Sequence, residues 1–223
     1  MKKIVLIFAI VCSLLMASCS TQVDAFEQSI SYKQLSMLVG STDNYTITVT
    51  SSMVESPYMA DGIAESTHPQ CKIVIKSSSD LTLISNLAYA FEYNGEMIEG
   101  TFQLDKLRGV LYADTGVIEH SKDMKVITIH DDTASVDIPL SNVMEGSISV
   151  DEVISIAKSE FAEDIETNTV DGVYQKEVYV KYIADQHRED VSYYWYVALI
   201  SKDRTFSAIL ISPGSGEIVA KRK

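Results

Sequence analysis

Apolar and polar residues alternate with a period of two over much of the chain between residues 45 and 140. Tyr45, Ile47 and Val49 alternate with three threonines, which is the pattern of a strand in an antiparallel sheet with one buried face. Similar short runs lie at 110–113, 125–130 and 135–140. Turn residues separate these runs, and no convincing helical period interrupts them. We therefore predict a β-rich, antiparallel, sandwich-like domain over residues 44–145.

The clearest local signal in this stretch is Asn94-Gly95. This dipeptide favours a two-residue type I′ turn, in which both central residues need a positive φ. Pairing outward from the turn places Tyr93 opposite Glu96, Phe91 opposite Ile98, Tyr89 opposite Gly100 and Leu87 opposite Phe102. We expect the ring of Tyr89 to cover the gap that Gly100 leaves.

The pattern changes near residues 144–147, where we place a domain boundary. Ser149 and Glu152 are spaced as a capping box, and Ile148 and Val153 as a hydrophobic staple outside it. Apolar residues then repeat at helical spacing up to Phe161. Four strand-like runs follow, at 173–183, 191–200, 205–211 and 217–219. We therefore predict that residues 146–223 form a small α+β domain, with one helix packed on an antiparallel sheet.

The last predicted turn, Gly216-Glu217-Ile218-Val219, follows this helix and strands rich in Tyr and Trp. In the order of its elements and in this turn, the segment resembles the PepSY family, whose last hairpin commonly carries a Thr-Gly-x-hydrophobic turn. Ser215 stands where the family usually has Thr, and Pro213 is a second departure. The resemblance implies an α+β fold. It also implies binding or inhibition of an extracytoplasmic protein partner, often discussed as a peptidase, rather than catalysis.

The first nineteen residues have the composition of an export signal. Lys2 and Lys3 precede an apolar run over residues 4–16, which is shorter than the roughly 20 apolar residues of a transmembrane helix. Met16-Ala17-Ser18-Cys19 resembles the lipobox of the bacterial lipoproteins. The resemblance implies removal of residues 1–18 and acylation of Cys19. An N-terminal lipid would then hold the protein on the extracytoplasmic side of the cell membrane or outer membrane. The alternative is an ordinary secretory peptide in which Cys19 is incidental.

Residues 19–43 separate this anchor from the first predicted strand, and we interpret them as a tether. Asp24 and Glu27 are spaced to cap a short helix, but the apolar residues after them fit a helical period only in part. Gly40 would end such a helix. A polar arm between the anchor and the folded body is the simpler interpretation.

Charge and cysteine content narrow the range of partners. The formal charge of the chain is −13 at pH 7. Nucleic-acid binding needs clustered Lys and Arg, so we expect no nucleic-acid partner. Of the three cysteines, Cys12 lies in the leader and Cys19 would carry the lipid, which leaves Cys71 without a disulfide partner. The strand-like surroundings of Cys71 predict a small buried side chain rather than a nucleophile.

No motif in the sequence marks a catalytic or metal site. The four histidines, His68, His120, His130 and His187, are spread along the chain without the companions that zinc sites show. The sequence contains neither a Gly-x-Ser-x-Gly elbow nor a Gly-rich phosphate loop. We therefore expect no cofactor and no enzyme activity. An unrecognised hydrolase, with a site assembled from distant residues, is the alternative.

Four consecutive aromatic residues, Tyr193, Tyr194, Trp195 and Tyr196, form the candidate partner-binding site. In a strand, Tyr193 and Trp195 face one way and Tyr194 and Tyr196 the other. One pair is expected to pack under the helix and the other to form a contact surface, since aromatic residues with polar ends are favoured at recognition surfaces. The alternative is core packing on both faces.

These observations predict an envelope-anchored extracytoplasmic lipoprotein that acts as a non-catalytic binding or regulatory module. Its protein partner would be a peptidase if the PepSY resemblance holds. The alternative is a cell-surface structural or adhesive protein that binds polysaccharide or another protein through its β-rich domain.

Overall fold

The structure, a computed structural model, describes residues 24–77, 86–116, 124–130, 134–185 and 192–222. Strands account for 57% of these residues and helices for 12%. The fold is therefore predominantly β.

Most of the regular elements along the chain are strands. The first ten, in chain order, are β1 (Ile30–Ser41), β2 (Tyr45–Glu55), β3 (Thr67–Ser77), β4 (Ala88–Tyr93), β5 (Glu96–Thr101), β6 (Gln103–Asp105), β7 (Val110–Asp114), β8 (Val126–His130), β9 (Ser135–Pro139) and β10 (Ser141–Asn142). The later strands are β11 (Thr169–Val170), β12 (Val173–Tyr174), β13 (Lys176–Ala184), β14 (Tyr193–Ser201), β15 (Phe206–Ile211) and β16 (Ile218–Arg222). Within the described ranges the helices are α1 (Ala25–Gln28), α2 (Val150–Glu160) and α3 (Ala162–Thr167).

Most of the strands belong to one ten-stranded sheet. Its order is β16-β15-β14-β13-β1-β2-β3-β7-β6, with β10 paired to β1. Neighbours in this sheet are antiparallel except β1 and β13, which run parallel. A second sheet has the order β5-β4-β8-β9, and β11 and β12 form a short hairpin. The parallel pair joins the two halves of the chain, because Ile30 lies beside Val178 and Tyr32 beside Tyr179.

This architecture corrects the predicted fold class. The β-rich character is confirmed, but the α+β fold that ends in a separate PepSY-like domain is wrong. Strands dominate the chain, and β13 to β16 continue the same sheet as β1, β2 and β3. The sequence pattern could not show this, since hydrogen bonding between β1 and β13 joins residues about 150 positions apart.

Strand β1 lies where the sequence predicts a tether. Its register shifts between Ile30 and Tyr32 and again between Gln34 and Ser36. Each such bulge adds a residue on one strand, so the side chains beyond it no longer keep a strict period of two. The strand therefore carries no continuous alternation in its sequence. The predicted helix cap before it is present, because Asp24 accepts hydrogen bonds from the amides of Phe26 and Glu27.

The predicted hairpin at Asn94-Gly95 is confirmed. Asn94 has φ 53° and Gly95 has φ 81°, as a type I′ turn requires. The register of β4 and β5 pairs Tyr93 with Glu96, Phe91 with Ile98 and Tyr89 with Gly100. A Cβ atom added at Gly100 would lie 2.4 Å from the Tyr89 hydroxyl oxygen, so this tyrosine does cover the glycine.

The predicted helix after residue 149 is also confirmed as α2. The Ser149 hydroxyl accepts a hydrogen bond from the Glu152 amide at 3.2 Å, as the capping box requires. Val153, Ile154 and Ala157 are its buried face. Among the helices of the described ranges, none has the length and apolar content to cross a lipid bilayer.

Two layers cover one face of the ten-stranded sheet. Over β2 and β3, residues such as Ile47 and Ile73 pack against the four-stranded sheet. Over β13 and β14, residues such as Val180 pack against α2. Both layers lie on the same side, because Lys33 is in register with both Met53 and Val180, and residues in register project from the same face. The residues that alternate with these core residues along the same strands therefore form the opposite face of the sheet.

Candidate functional site

The opposite face of the ten-stranded sheet carries a cluster of tyrosines. Tyr32 on β1, Tyr179 on β13 and Tyr196 on β14 project from it, and Tyr58 reaches it from the segment between β2 and β3. We call these four residues the tyrosine face. Tyr179 projects from this face because successive side chains of a strand point to opposite faces, and its neighbours Val178 and Val180 point into the core.

The rings of the tyrosine face contact one another through Tyr179. The ring of Tyr32 stacks on that of Tyr179, with centroids 4.5 Å apart and planes 27° apart. The Tyr58 ring lies 5.8 Å from Tyr179, and the Tyr196 ring lies 6.5 Å away and edge-on. Offset and edge-on pairs at these separations are favourable for aromatic rings. The four side chains therefore form a continuous aromatic surface across three neighbouring strands.

A buried carboxylate fixes one side of this surface. Glu177 has 0% exposure, and its Oε1 accepts a hydrogen bond from the Ser31 hydroxyl at 2.6 Å. Its Oε2 accepts from the amide of Gly62 at 3.3 Å, and its carboxylate also takes a hydrogen bond from Tyr58. Buried charges are tolerated when hydrogen bonds satisfy them. Glu177 therefore fastens the segment between β2 and β3 onto the sheet and positions Tyr58.

The same segment makes a close backbone contact with the β14–β15 turn. Gly62 is buried and has φ +82°, and a Cβ atom added to it would lie 2.3 Å from the Lys202 amide nitrogen. Only glycine allows both this conformation and this approach. Tyr58 is thus held at two points, by Glu177 and by the contact at Gly62.

Positive charge adjoins the tyrosine face. The ammonium of Lys181 lies 6.0 Å from the Tyr32 ring centroid, and that of Lys72 lies 5.0 Å from the Tyr112 centroid. Burial lowers the pKa of Lys181, and the nearby charges of Arg108 and Lys72 lower it further. Two lysines thus each lie over a tyrosine ring on this face of the sheet.

The hydroxyls of the tyrosine face stay protonated. Burial raises the pKa of Tyr32, Tyr58, Tyr179 and Tyr196, and the carboxylate of Glu177 raises that of Tyr58 further. A neutral phenol both donates and accepts a hydrogen bond. The surface therefore combines ring area, neutral hydroxyls and adjoining cations.

The four aromatic residues predicted as a contact surface divide between the two faces of β14. Trp195 is a core residue with 0% exposure, and its Nε1 donates to the Ser147 hydroxyl oxygen at 2.8 Å. Trp195 is one of the four candidate contact residues, and the structure places it in the pair that packs under the helix, where a fully buried ring cannot contact a partner. Tyr193 shares its face and stacks on Tyr182 at 5.3 Å. Tyr194 and Tyr196 are half-buried on the other face, where Tyr196 joins the tyrosine face.

Other residues singled out in the sequence do not converge on a site. Cys19, His120 and His187 lie outside the described residues. Cys71 is buried as predicted, and burial raises the pKa of its thiol. His130 contacts the Ser135 hydroxyl at 2.9 Å in a hairpin. Within the described ranges, no three His, Cys, Asp or Glu side chains are placed to hold a metal ion.

Sequence reasoning missed Tyr32, Tyr58 and Tyr179. In β13, Tyr179 and Lys181 alternate with Val178 and Val180. This alternation could have predicted that the tyrosine and the lysine share the sheet face opposite the core. Tyr32 could not be predicted in this way, because the bulges of β1 interrupt the alternation of its side chains. Tyr58 belongs to no helix or strand, so no periodic pattern includes it.

No protein-family model matches this chain, and comparisons with curated proteins and with solved structures also give no match.

Proposed function

We propose that the protein is an envelope-anchored extracytoplasmic lipoprotein that acts as a non-catalytic binding module, with the tyrosine face as its contact surface. The anchor rests on the lipobox resemblance at Cys19. The observation that carries the binding role is the joined set of four tyrosines on the sheet face opposite the core layers. Tyrosine supplies large contact area at a low cost in side-chain entropy, which is why recognition surfaces favour it.

The rigidity of the tyrosine face supports this proposal. Three of its tyrosines stand on strands in the interior of a ten-stranded sheet, and Glu177 and Gly62 hold the fourth. A ligand that binds to this face does not have to order the side chains that contact it. Preorganised surfaces of this kind lose less entropy on binding.

A second candidate is the cell-surface adhesive protein that binds polysaccharide. The extent of the surface favours it, since aromatic or cationic residues stand on this face of β14, β13, β1, β3 and β7, with polar residues of β2 such as Thr50 and Ser52 between them. With strands about 4.8 Å apart, these six strands span about 24 Å. A surface of this length suits an extended polymer. A peptidase partner stays a prediction that rests on the sequence resemblance alone.

The proposal is tested by sedimenting the protein with purified cell envelopes of its source bacterium from which the lipids have been extracted, so that the N-terminal lipid does not cause sedimentation. Tyr58→Ala and Tyr196→Ala should each weaken binding about tenfold or more, the usual cost of truncating an important contact residue. Tyr193→Ala is the matched control, because Tyr193 lies on the same strand as Tyr196 but on the opposite face.

Melting temperatures of all three variants show whether each remains folded. Equal envelope binding by the folded Tyr196→Ala and Tyr193→Ala variants would contradict a binding role for the tyrosine face.

A further inference from the structure

We infer that the ligand of the tyrosine face is an acidic polysaccharide, whose sugar rings stack on the tyrosines and whose carboxylates bind at Lys181 and Lys72. This inference rests on the proposed binding function and names the class of ligand. It is carried by three features of the face: its charge, its length and its position in the middle of a sheet.

The charge beside Tyr32, at the Lys181 side of the surface, is opposite to that of the whole chain. The chain carries a formal charge of −13, yet the ammonium groups of Lys181 and Lys72 lie over the rings of Tyr32 and Tyr112 on this face, and the charges of Arg108 and Lys72 lower the pKa of Lys181. Within the described ranges, no carboxylate oxygen lies within 4 Å of the ammonium nitrogen of Lys181 or Lys72, and Arg108 pairs only with Asp105 of its own turn, at 3.8 Å. A local group of cations in an acidic protein indicates that the ligand supplies the counter-charge.

The acidic groups near this face either have partners in the protein or lie at its Tyr58 end, where Glu177 and Glu55 both raise the pKa of Tyr58. Asp114 is opposite Lys72 in the sheet, but its Oδ2 accepts a hydrogen bond from the Gln70 amide at 2.6 Å. Glu177 is completely buried and bonded to Ser31 and Gly62. Lys181 is half-buried among rings, so an anion bound there would also offset the cost of placing its charge near apolar surface.

The position of the surface favours sugar over peptide. An extended peptide binds a sheet by adding at an edge, where unpaired main-chain groups are exposed. The strands β13, β1, β2 and β3 are interior, with both edges already hydrogen-bonded to neighbours. A peptide laid across them would lose water from its main chain without gaining these partners. A pyranose ring presents C–H groups on its faces and hydroxyls on its edges, which match the rings and the neutral hydroxyls of the tyrosine face.

The experiment measures binding of the full-length protein, purified in detergent, to polygalacturonate and to the same polymer with its carboxyls methyl-esterified. We expect about tenfold tighter binding of the acidic form, because a charge-assisted contact is lost on esterification. Lys181→Met should reduce this difference several-fold and leave binding of the esterified polymer unchanged. Lys125→Met, at an exposed lysine beside the four-stranded sheet, is the matched control and should change neither affinity.

The outcomes separate this inference from the proposed function. Equal affinity for both polymers, or an unchanged preference in Lys181→Met, would overturn the acidic ligand, while loss of binding in Tyr196→Ala would still support the binding surface. Binding of poly-glutamate as tight as that of polygalacturonate would overturn the choice of sugar over peptide. If no polymer binds, the acidic-polysaccharide inference fails and the envelope test alone decides the binding function. If envelope binding does not depend on the tyrosines, both proposals fail.

Discussion

Replacing Gly62 with alanine tests how the segment between β2 and β3 is held on the sheet. Gly62 has φ +82° and Gly95 has φ +81°, so alanine would suffer the same backbone strain at both positions. Their surroundings differ. A Cβ atom at Gly62 would lie 2.3 Å from the Lys202 nitrogen and 2.6 Å from the Ser201 carbonyl carbon, whereas at Gly95 nothing lies within 4 Å. Gly95→Ala is therefore a control for strain alone.

The magnitudes follow from these contacts. Left-handed backbone costs alanine about 1 kcal/mol, which is the whole effect expected for Gly95→Ala. At Gly62 the new atom meets backbone of the β14–β15 turn, so the segment must move away and lose the Gly62 hydrogen bond to Glu177. A hydrogen bond to a charged group contributes about 1.5–3 kcal/mol, which brings the expected loss for Gly62→Ala to about 2.5–4 kcal/mol.

Urea unfolding of the two variants and the parent measures these losses. In thermal unfolding, the melting temperature should fall by about 2–4 °C for Gly95→Ala and about 5–16 °C for Gly62→Ala. The Gly62→Ala variant should also lose envelope binding, because Tyr58 is no longer positioned. Equal destabilisation by the two substitutions would refute the close approach of Gly62 to the β14–β15 turn.

Three further changes test other parts of the structure. Burial, with the charge of Glu177 next, raises the pKa of Glu55, whose Oε2 has no hydrogen-bond partner among the described residues. Its charge therefore destabilises the fold increasingly as pH rises through that raised pKa. Glu55→Gln should raise the free energy of unfolding by about 1 kcal/mol at pH 8 and leave it unchanged below the ordinary pKa of a glutamate. Urea unfolding at these two pH values measures the difference. The same stabilisation at both pH values would contradict a titrating Glu55. Trp195→Ala should cost about 3–5 kcal/mol and Tyr194→Ala much less, and equal losses in chemical denaturation would argue against the two faces of β14. Cys19→Ser should move the protein from the membrane to the soluble fraction, and unchanged fractionation would exclude a lipid at this position.

Some features could be predicted from the sequence because they depend on residues close together in the chain. The turn at Asn94-Gly95 follows from two residues that tolerate positive φ, and the start of α2 follows from Ser149 and its amide partner three residues later. The alternation in β2 and β3 likewise follows from neighbours. Of the candidate site, only Tyr196 was identified in this way.

The tertiary structure decided the rest, since it depends on contacts between residues far apart in the chain. Ser31 bonds to Glu177 across 146 positions, and Tyr32 stacks on Tyr179 only because β1 and β13 pair in parallel. Alternation shows that β14 has two faces, but not which face α2 covers. That choice buried Trp195 and left Tyr196 on the tyrosine face, because a strand's neighbours in space determine which of its faces becomes core.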